Sequence, residues 1–469
     1  MPENGGSPTS TRARRTWLDQ VGLIAARGRE LLNLGGGANR RTQSPEELCR
    51  RLLEQRGEAS ALALASVLVQ QLSEMDEAST AAFLDVLAEE FSPDPVRVQE
   101  AVDAWQRSRD SGALQHLADT AEAPRQELFR RLNMAPGGTA ELVRLRNRML
   151  NWLPERPELR PVDADLRHLL SSWFNRGFLQ LEEITWNSPA AVLERLIEYE
   201  AVHAIQGWDD LRRRLARDRR CFAFFHPALP GEPLVFVEVA LTQGLPGAIQ
   251  PLIDPDRASE DPAQANSAIF FSISSTQRGL RGISFGSFLI KQVMGELSAE
   301  LPRLQTFATL SPVPGLASAL RRGEDPEGFT EDRLRALATD ASGRGRSAEP
   351  PTSVATLDHL DGDHRPHTDA ERRLLERLTL AYLTQVRRGQ TVEDTVAHFH
   401  LSNGARLERI HVDADTSENG RPSRGVMVNY LYDPERLEFN HERYVDTGTV
   451  ALSRGLAAEL KRVQAAWRA

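Results

Sequence analysis

The chain of 469 residues has only two cysteines and only two lysines, and both scarcities exclude common kinds of site. Cys49 and Cys221 are too few and too far apart for a disulfide framework or a zinc ribbon, which fits a reducing compartment. Lys291 and Lys461 lie in helix-like stretches, so Schiff-base or pyridoxal chemistry is set aside. No apolar run approaches the ~20 residues that a membrane-spanning helix needs, so no membrane partner is expected.

A positive net charge is also absent. The formal net charge of −9 argues against nucleic acid or an anionic membrane as a general partner. The hydrophobic content of 40% and the charged content of 26% are ordinary for a globular protein. A chain of this length predicts two domains, each with its own core. The preference for arginine over lysine is typical of a high-GC bacterial source, so we expect a cytoplasmic protein.

The N-terminal part of the chain is predicted to be helical. Residues 1–35 form a predicted disordered tail, followed by a helical bundle over residues 36–186 that would serve docking or oligomerisation. Ser44 and Pro45 supply an N-cap and a first helical residue, and later helices are separated by proline- and glycine-containing breaks. No acid/base or metal-ligand cluster occurs in this bundle.

The C-terminal part, residues 187–469, alternates strands and helices and predicts an α/β domain. The chain is therefore expected to combine an all-α domain with an α/β domain. Strands are predicted at residues 220–226, 233–242, 268–275, 304–310, 406–412 and 425–432. Helices are predicted at residues 188–204, 208–215, 330–337, 369–387 and 446–467.

Residues 268–314 carry the most informative sequence pattern of this second domain. It predicts a buried strand, a loop rich in glycine and arginine, a helix and a second strand that ends at Ser311. The loop positions are Arg278, Gly279, Arg281, Gly282 and Gly286. A glycine-rich loop before a helix N-terminus, with arginines beside it, predicts an anion site. Its spacing does not fit the dinucleotide fingerprint, but it resembles the coenzyme A pyrophosphate loop of the acetyltransferase-like (GNAT) fold.

Three groups in this domain could carry chemistry. Ser311 stands at the carboxyl end of a predicted strand, a usual place for reacting groups in an open sheet. His400 precedes Asn403 and Gly404, a turn pair that would place the histidine at a strand edge or in a loop. Tyr432 closes a late strand. These observations leave a Ser311–His400 dyad open as one possibility.

A metal site is the alternative. His398 and His400 would share a face in an extended segment, and Asp413 and Asp415 could complete a ligand set. A more economical interpretation has one functional histidine and one packed against a strand. We therefore expect no metal.

Several blocks together resemble the malonyl-CoA decarboxylase family, in the family's order and from about Gly36 to the C-terminus. They are FFHPALPGEPLV (224–235), AIFFSISSTQRGL (268–280), FATLSPVPG (307–315), FHLSNGA (399–405), ADTS (414–417) and MVNYLY (427–432). The resemblance implies a helical N-terminal domain and a catalytic domain of acetyltransferase-like (GNAT-like) fold. It also implies decarboxylation of malonyl-CoA to acetyl-CoA and carbon dioxide, a carboxy-lyase activity, without a metal or an organic cofactor.

The resemblance also implies the site residues. The catalytic serine falls on Ser311 and the catalytic histidine on His400, and the late-strand tyrosine falls on Tyr432. The coenzyme A-binding residues that we predict are Ser274, Thr276, Gln277, Arg278, Gly279, Leu280, Arg281, Gly282 and Asn403. Ser284 departs from the family, because an acidic residue is expected there.

Two other function classes stay open on the sequence alone. An acyltransferase could use the same coenzyme A loop with an acceptor cleft, and a non-catalytic sensor would bind malonyl-CoA and leave it intact. The helical bundle offers an assembly surface, so a homo-oligomer, a dimer or a tetramer, is expected.

Overall fold

The computed structural model describes residues 43–283, 286–322, 328–341 and 367–468. Within these ranges the chain divides into two compact units. The helical unit comprises the described residues up to Leu179 together with His226–Pro230 and Gln277–Ile283, and the sheet unit comprises the rest. The predicted tail at residues 1–35 lies outside the described residues. The predicted class, an all-α region followed by an α/β domain, is confirmed: a helical N-terminal region precedes a domain with a mixed sheet.

The helices of the helical unit begin where the sequence provides caps. Ser44 Oγ accepts the N–H of Glu47 at 3.3 Å, and Pro45 occupies the first helical position. Asp76 caps another helix by accepting the N–H of Ser79 at 2.8 Å. The helices are α1 (Pro45–Glu54), α2 (Glu58–Glu74), α3 (Glu77–Glu89), α4 (Pro95–Ser108), α5 (Ser111–Ala121), α6 (Pro124–Met134), α7 (Gly138–Trp152) and α8 (Arg160–Trp173).

One apolar core holds this unit together. Leu52, Leu68, Phe83, Phe129 and Leu145 are almost completely buried in it. Such residues recur at helical spacing along the sequence, so each helix turns one apolar face toward the others. Burial of that face, rather than intrinsic helix propensity, supplies most of the stability of helices of this length.

The sheet unit contains the strands and the remaining helices. The strands are β1 (Gln180–Ile184), β2 (Arg219–Phe225), β3 (Val235–Thr242), β4 (Ser267–Ser275), β5 (Thr306–Thr309), β6 (Ser311–Pro312), β7 (Arg387–Arg388), β8 (Thr391–Val392), β9 (Arg406–His411) and β10 (Met427–Leu431). The helices are α9 (Ala190–Tyr199), α10 (Trp208–Arg214), α11 (Gln250–Ile253), α12 (Gly286–Glu300), α13 (Leu316–Arg321), α14 (Glu331–Ala341), α15 (Asp369–Gln385), α16 (Thr395–Ser402), α17 (Leu437–Thr447) and α18 (Arg454–Arg468).

The main sheet has the strand order β1-β2-β3-β4-β5-β10-β6, and β9 pairs with the other edge of β10. The pairs are antiparallel, except that β4 and β5 run parallel. The β4–β5 pairing ends at Phe270 and Thr309, although β4 continues to Ser275. β5 and β6 both pair with β10, so Ser311 and Tyr432 come from neighbouring parts of the sheet.

Two predictions of secondary structure were wrong, and one strand was missed. The segment around His400 is helical (α16), not a loop or strand edge. The predicted helix at 446–467 is interrupted: α17 ends at Thr447, Gly448 after it adopts the left-handed conformation, and α18 begins at Arg454. The edge strand β1 was missed, because its half-exposed QLEEI sequence lacks a run of β-branched residues.

Among the described residues, no helix is both long and apolar enough to cross a membrane.

Candidate active site

Ser311 lies at the turn that follows β5. It begins β6, where it is the register partner of Val428 on β10. Pro312 comes next and has no N–H to continue the ladder. The N–H of Val313 leaves the sheet and donates to Ser423 Oγ at 2.9 Å. The Ser311 side chain is therefore held at a fixed point where the strand ends.

One buried carboxylate, Asp394, joins the turn after Ser311 to the helix that carries His400. As the N-cap of α16, its Oδ1 accepts the N–H groups of Val396 (3.1 Å) and Ala397 (2.9 Å). Its Oδ2 accepts the N–H of Gly315 at 3.1 Å. Burial raises the pKa of this carboxyl, against the opposing effect of the backbone donors.

The structure brings together the three residues that were predicted as catalytic. Ser311 Oγ lies 3.1 Å from His400 Nε2, and His400 Nδ1 lies 2.7 Å from the Tyr432 hydroxyl. The imidazole also stacks on the ring of Tyr430, with centroids 4.6 Å apart and planes 24° apart. The ring of His400 is thus fixed at both nitrogens and on one face.

Burial sets the protonation state of this site. His400 is 3% exposed and Tyr432 is 1% exposed. Burial disfavours the charged form of each group, and it lowers the pKa of His400 to about 3. The pKa of the Tyr432 hydroxyl is raised well above its usual value for the same reason. At neutral pH the imidazole and the phenol are therefore both uncharged.

Thr309 extends this network on the other side of Ser311. Ser311 Oγ donates to Thr309 Oγ1 at 2.9 Å, and the N–H of Tyr430 donates to the same oxygen at 3.2 Å. The Asn429 side chain donates from Nδ2 to the Thr309 carbonyl at 2.8 Å. Sequence reasoning missed the role of Thr309. Its position two residues before Ser311 on one strand run was the available signal, because such residues share a face of the sheet.

Three of the predicted coenzyme A-binding residues lie in the sheet unit. Ser274 is buried, and its hydroxyl donates to Glu200 Oε2 at 3.2 Å. Thr276 donates to the Pro233 carbonyl. Asn403 ends α16 and is 7% exposed, and its Nδ2 has no partner among the described residues. Ser274 and Thr276 thus use their hydroxyls in hydrogen bonds within the protein, whereas the buried Nδ2 of Asn403 makes no hydrogen bond to the described residues.

The remaining predicted binding residues, Gln277–Gly282, belong to the helical unit. Arg146 Nη1 donates to the carbonyls of Gly279 (2.7 Å) and Arg281 (2.9 Å). A Cβ atom at Gly279 would lie 2.1 Å from the Val143 carbonyl oxygen, so only glycine fits here. The loop backbone is therefore anchored to α7.

The side chains of that loop differ in exposure. Leu280 is buried and Gln277 is half-buried, whereas Arg278 and Arg281 are exposed. Arg278 donates to the Asn151 side chain. Gly282 is exposed and adopts a φ of 86°. Ser284, where an acidic residue was expected, lies outside the described residues. The predicted anion-binding role of this loop stays a prediction.

The predicted metal alternative used His398, His400, Asp413 and Asp415. On a helix, His398 and His400 do not share a face, and His398 Nδ1 instead lies 3.0 Å from the Tyr444 hydroxyl. Asp413 interacts with His367 and Arg372. Among the residues that the structure describes, no group of three or more His, Cys, Asp and Glu side chains could hold a metal ion.

Comparisons with protein families match both parts of the chain. A model described as the malonyl-CoA decarboxylase C-terminal domain matches residues 177–469, more than half of the chain. A second model, described as the malonyl-CoA decarboxylase N-terminal domain, matches residues 91–174.

Individual proteins give the same result. The mitochondrial malonyl-CoA decarboxylase of Anser anser anser is 34% identical over 412 residues, covering 82% of this chain and 80% of that protein. Crystal structures of malonyl-CoA decarboxylases from two bacteria are also similar. The Rhodopseudomonas palustris structure is 46% identical with a TM-score of 0.79, covering 88% of this chain and 99% of that one. The Agrobacterium vitis structure is 45% identical with a TM-score of 0.77, covering 89% of this chain and 99% of that one.

Proposed function

The chain belongs to the malonyl-CoA decarboxylase family, and we propose that it converts malonyl-CoA to acetyl-CoA and carbon dioxide at the Ser311–His400–Tyr432 site. The observation that carries the assignment of the site is the buried chain of contacts through both nitrogens of His400. Ser311 Oγ lies at one end of that chain and the Tyr432 hydroxyl at the other.

The reaction has two requirements: first, stabilisation of an enolate, and second, delivery of a proton to C2. The bond between C2 and the carboxyl carbon breaks, and its electron pair passes into the thioester carbonyl as an enolate while carbon dioxide leaves. C2 must then take up one proton. A site that accelerates this step holds the breaking bond perpendicular to the thioester plane and offers preorganised donors to the enolate oxygen.

The buried donors of the site fit the first requirement. Ser311 Oγ can donate to the carboxylate or the thioester when its proton turns from Thr309 Oγ1 to the substrate. Asn403 lies one helical turn after His400, and its unpartnered Nδ2 is a second donor suited to an oxyanion. A buried donor without a partner costs stability, which is offset when a substrate oxygen accepts from it.

His400 meets the second requirement as the proton donor, directly or through Ser311. The low pKa of the imidazole keeps it neutral, and a neutral imidazole N–H is still a far stronger acid than the C2–H bond that forms. A proton from water replaces the one lost to C2 as the transfer proceeds, because burial also disfavours a charged imidazolate. Tyr432 aligns the ring through Nδ1. Proton delivery of this kind contributes roughly 10²–10⁴-fold in rate.

For coenzyme A recognition we propose, in the helical unit, the loop Gln277–Gly282. In the sheet unit the proposed residues are Ser274, Thr276 and Asn403. The exposed Arg278 and Arg281 provide charge-assisted donors for phosphate oxygens, which supports the assignment. The proposal includes no metal and no organic cofactor, because the thioester carbonyl of the substrate itself takes up the electron pair.

A homo-oligomer and a bacterial cytoplasmic location complete the proposal. Light scattering of the purified protein tests the first, since a monomer mass would contradict it. Fractionation of the source cells tests the second.

The proposed activity is tested with metal-free protein and malonyl-CoA in the presence of a chelator. Acetyl-CoA and carbon dioxide in equal amounts are expected. Malonyl-CoA that binds but stays intact would move the assignment to a sensor. Free coenzyme A thiol formed from acetyl-CoA and an added acceptor would move it to an acyltransferase.

A further inference from the structure

We infer that Thr309 is a positioning residue, which fixes the direction of the Ser311 hydroxyl proton and thereby the tautomer of His400. The inference deepens the proposed function and rests on it. Thr309 does not touch the reacting atoms in this account. It acts through Ser311.

The count of protons in the network carries the argument. A hydroxyl group has one proton to donate, and we assign that of Ser311 to Thr309 Oγ1, which lies 2.9 Å from Ser311 Oγ. Ser311 Oγ and His400 Nε2 lie 3.1 Å apart, so the imidazole must then supply the proton of the hydrogen bond between them. The ring proton of His400 therefore resides on Nε2, the nitrogen that faces Ser311.

The contact at the other nitrogen agrees with this tautomer. A neutral imidazole with its proton on Nε2 has an acceptor at Nδ1. The Tyr432 hydroxyl lies 2.7 Å from Nδ1 and can donate to it. Burial keeps the phenol protonated, because the pKa of Tyr432 is raised well above its usual value.

Thr309 is itself held in place, as a positioning residue must be. It is completely buried on β5. Its Oγ1 accepts the N–H of Tyr430 at 3.2 Å, and its carbonyl accepts from Asn429 Nδ2 at 2.8 Å. A β-branched side chain also has few allowed χ1 angles. The acceptor that receives the serine proton thus has a fixed position.

The tautomer matters for the reaction. With the proton on Nε2, His400 has two routes. It can turn the proton from Ser311 Oγ directly to C2, or it can give the proton to Ser311 Oγ as the Ser311 proton turns from Thr309 Oγ1 to C2. In both routes C2 gains one proton and the imidazole loses one, which water restores. The opposite tautomer would present a lone pair at Nε2 and could donate nothing toward C2.

Two substitutions of Thr309 separate this role from packing. Thr309→Val keeps the shape of the Thr309 side chain and removes the acceptor Oγ1. The Ser311 hydroxyl can then donate to His400 Nε2, so the ring proton of His400 moves to Nδ1. Thr309→Ser keeps the acceptor. We expect Thr309→Val to lower kcat about 10- to 100-fold, within or below the range of a lost general acid, with KM little changed. Thr309→Ser should keep most of the turnover.

The tautomer itself is measured by ¹⁵N NMR of histidine-labelled protein, with the His400 signals identified by their loss in His400→Asn. The wild type should show a protonated Nε2 and an unprotonated Nδ1, and Thr309→Val should reverse the two. Wild-type turnover and an unchanged tautomer in Thr309→Val would overturn the inference, as would equal losses in Thr309→Val and Thr309→Ser. Absence of decarboxylation by the wild type would instead contradict the proposed function.

Discussion

Burial decides the chemistry of single residues in this protein. His400 keeps a neutral imidazole because charging it would place an ion where there is almost no water. His203 is in a similar position. It is 4% exposed, its Nε2 has no partner among the described residues, and burial lowers its pKa to about 4.

These two histidines predict a loss of stability in acid. In the unfolded chain each histidine takes up a proton near pH 6.5, whereas the native state binds it only near pH 4 or pH 3. Between those values the unfolded state binds more protons, so the free energy of unfolding falls as the pH falls. Each histidine contributes about 1 kcal/mol per pH unit to that fall.

The measurement is urea unfolding of the wild type, His203→Gln and His400→Gln between pH 6.5 and pH 4.5. Each variant should lose stability less steeply than the wild type, because one buried neutral histidine is gone. His116, which is exposed, supplies the control: His116→Gln should keep the wild-type slope. Equal slopes in all four proteins would contradict the account.

The sequence predicted some residues of the candidate site and missed another. Ser311, His400 and Tyr432 came from a resemblance of short blocks, and the structure places them in contact. Spacing alone could not join Ser311 to His400, which are 89 positions apart. Thr309 was missed, because its position two residues before Ser311 indicates a shared face of the sheet but not a contact between the two hydroxyls.

A few side chains form junctions, that is, they hydrogen-bond two segments of secondary structure at once and so bring the site residues together. Asp394 is one of them, since it caps α16 and also holds the N–H of Gly315. Asp394 followed by Thr395 was a readable capping signal. It was missed because residues 398–405 were interpreted through their Asn-Gly turn pair, and tertiary burial of Ala397, His400 and Leu401 favoured a helix instead.

Removal of this junction should affect both stability and turnover. Asp394→Ala leaves the N–H groups of Val396, Ala397 and Gly315 without their acceptor, so we expect a loss of at least the ~1 kcal/mol that a helix cap contributes, and a lower kcat. The matched control is Asp76→Ala, which removes the exposed cap of α3 in the helical unit. It should cost stability and leave kcat unchanged. A wild-type kcat in Asp394→Ala, measured where the variant is fully folded, would contradict the role of the junction.

The contact between the loop Gln277–Gly282 and α7 gives a second prediction at this scale. Gly279→Ala would place a methyl group 2.1 Å from the Val143 carbonyl oxygen, so the loop must shift. We expect a destabilisation of about 1–3 kcal/mol, as for other overpacked sites, and weaker binding of coenzyme A.

The control for this variant is Gly295→Ala in the interior of α12. A Cβ there meets nothing within 4 Å, and alanine is favoured over glycine in a helix by about 1 kcal/mol. This variant should be more stable than the wild type and should bind coenzyme A as tightly. Denaturant midpoints and calorimetric titration with coenzyme A measure both effects. Unchanged stability and affinity in Gly279→Ala would be the contradicting result.

Over the whole molecule, composition and the order of helices and strands predicted the fold class. They did not predict the contacts between segments that are distant in the sequence. A helical first part and a second part that alternates strands and helices followed from the change in periodicity along the chain, and the structure confirms both. The assignment of Gln277–Ile283 to the helical unit did not follow, because those residues continue directly from β4 in the sequence. Contacts such as that of Arg146 with the Gly279 carbonyl depend on residues 133 positions apart.

The central claim is that the buried Ser311–His400 pair decarboxylates malonyl-CoA. Its most direct test is the rate of acetyl-CoA formation by the wild type, His400→Asn and Ser311→Ala, with His398→Asn as the control on the same helix. The account predicts a loss of roughly 10²-fold or more in kcat for His400→Asn, a large loss for Ser311→Ala, and unchanged affinity for coenzyme A in both. His398→Asn should stay within a few-fold of the wild type. Full turnover by His400→Asn would contradict the claim.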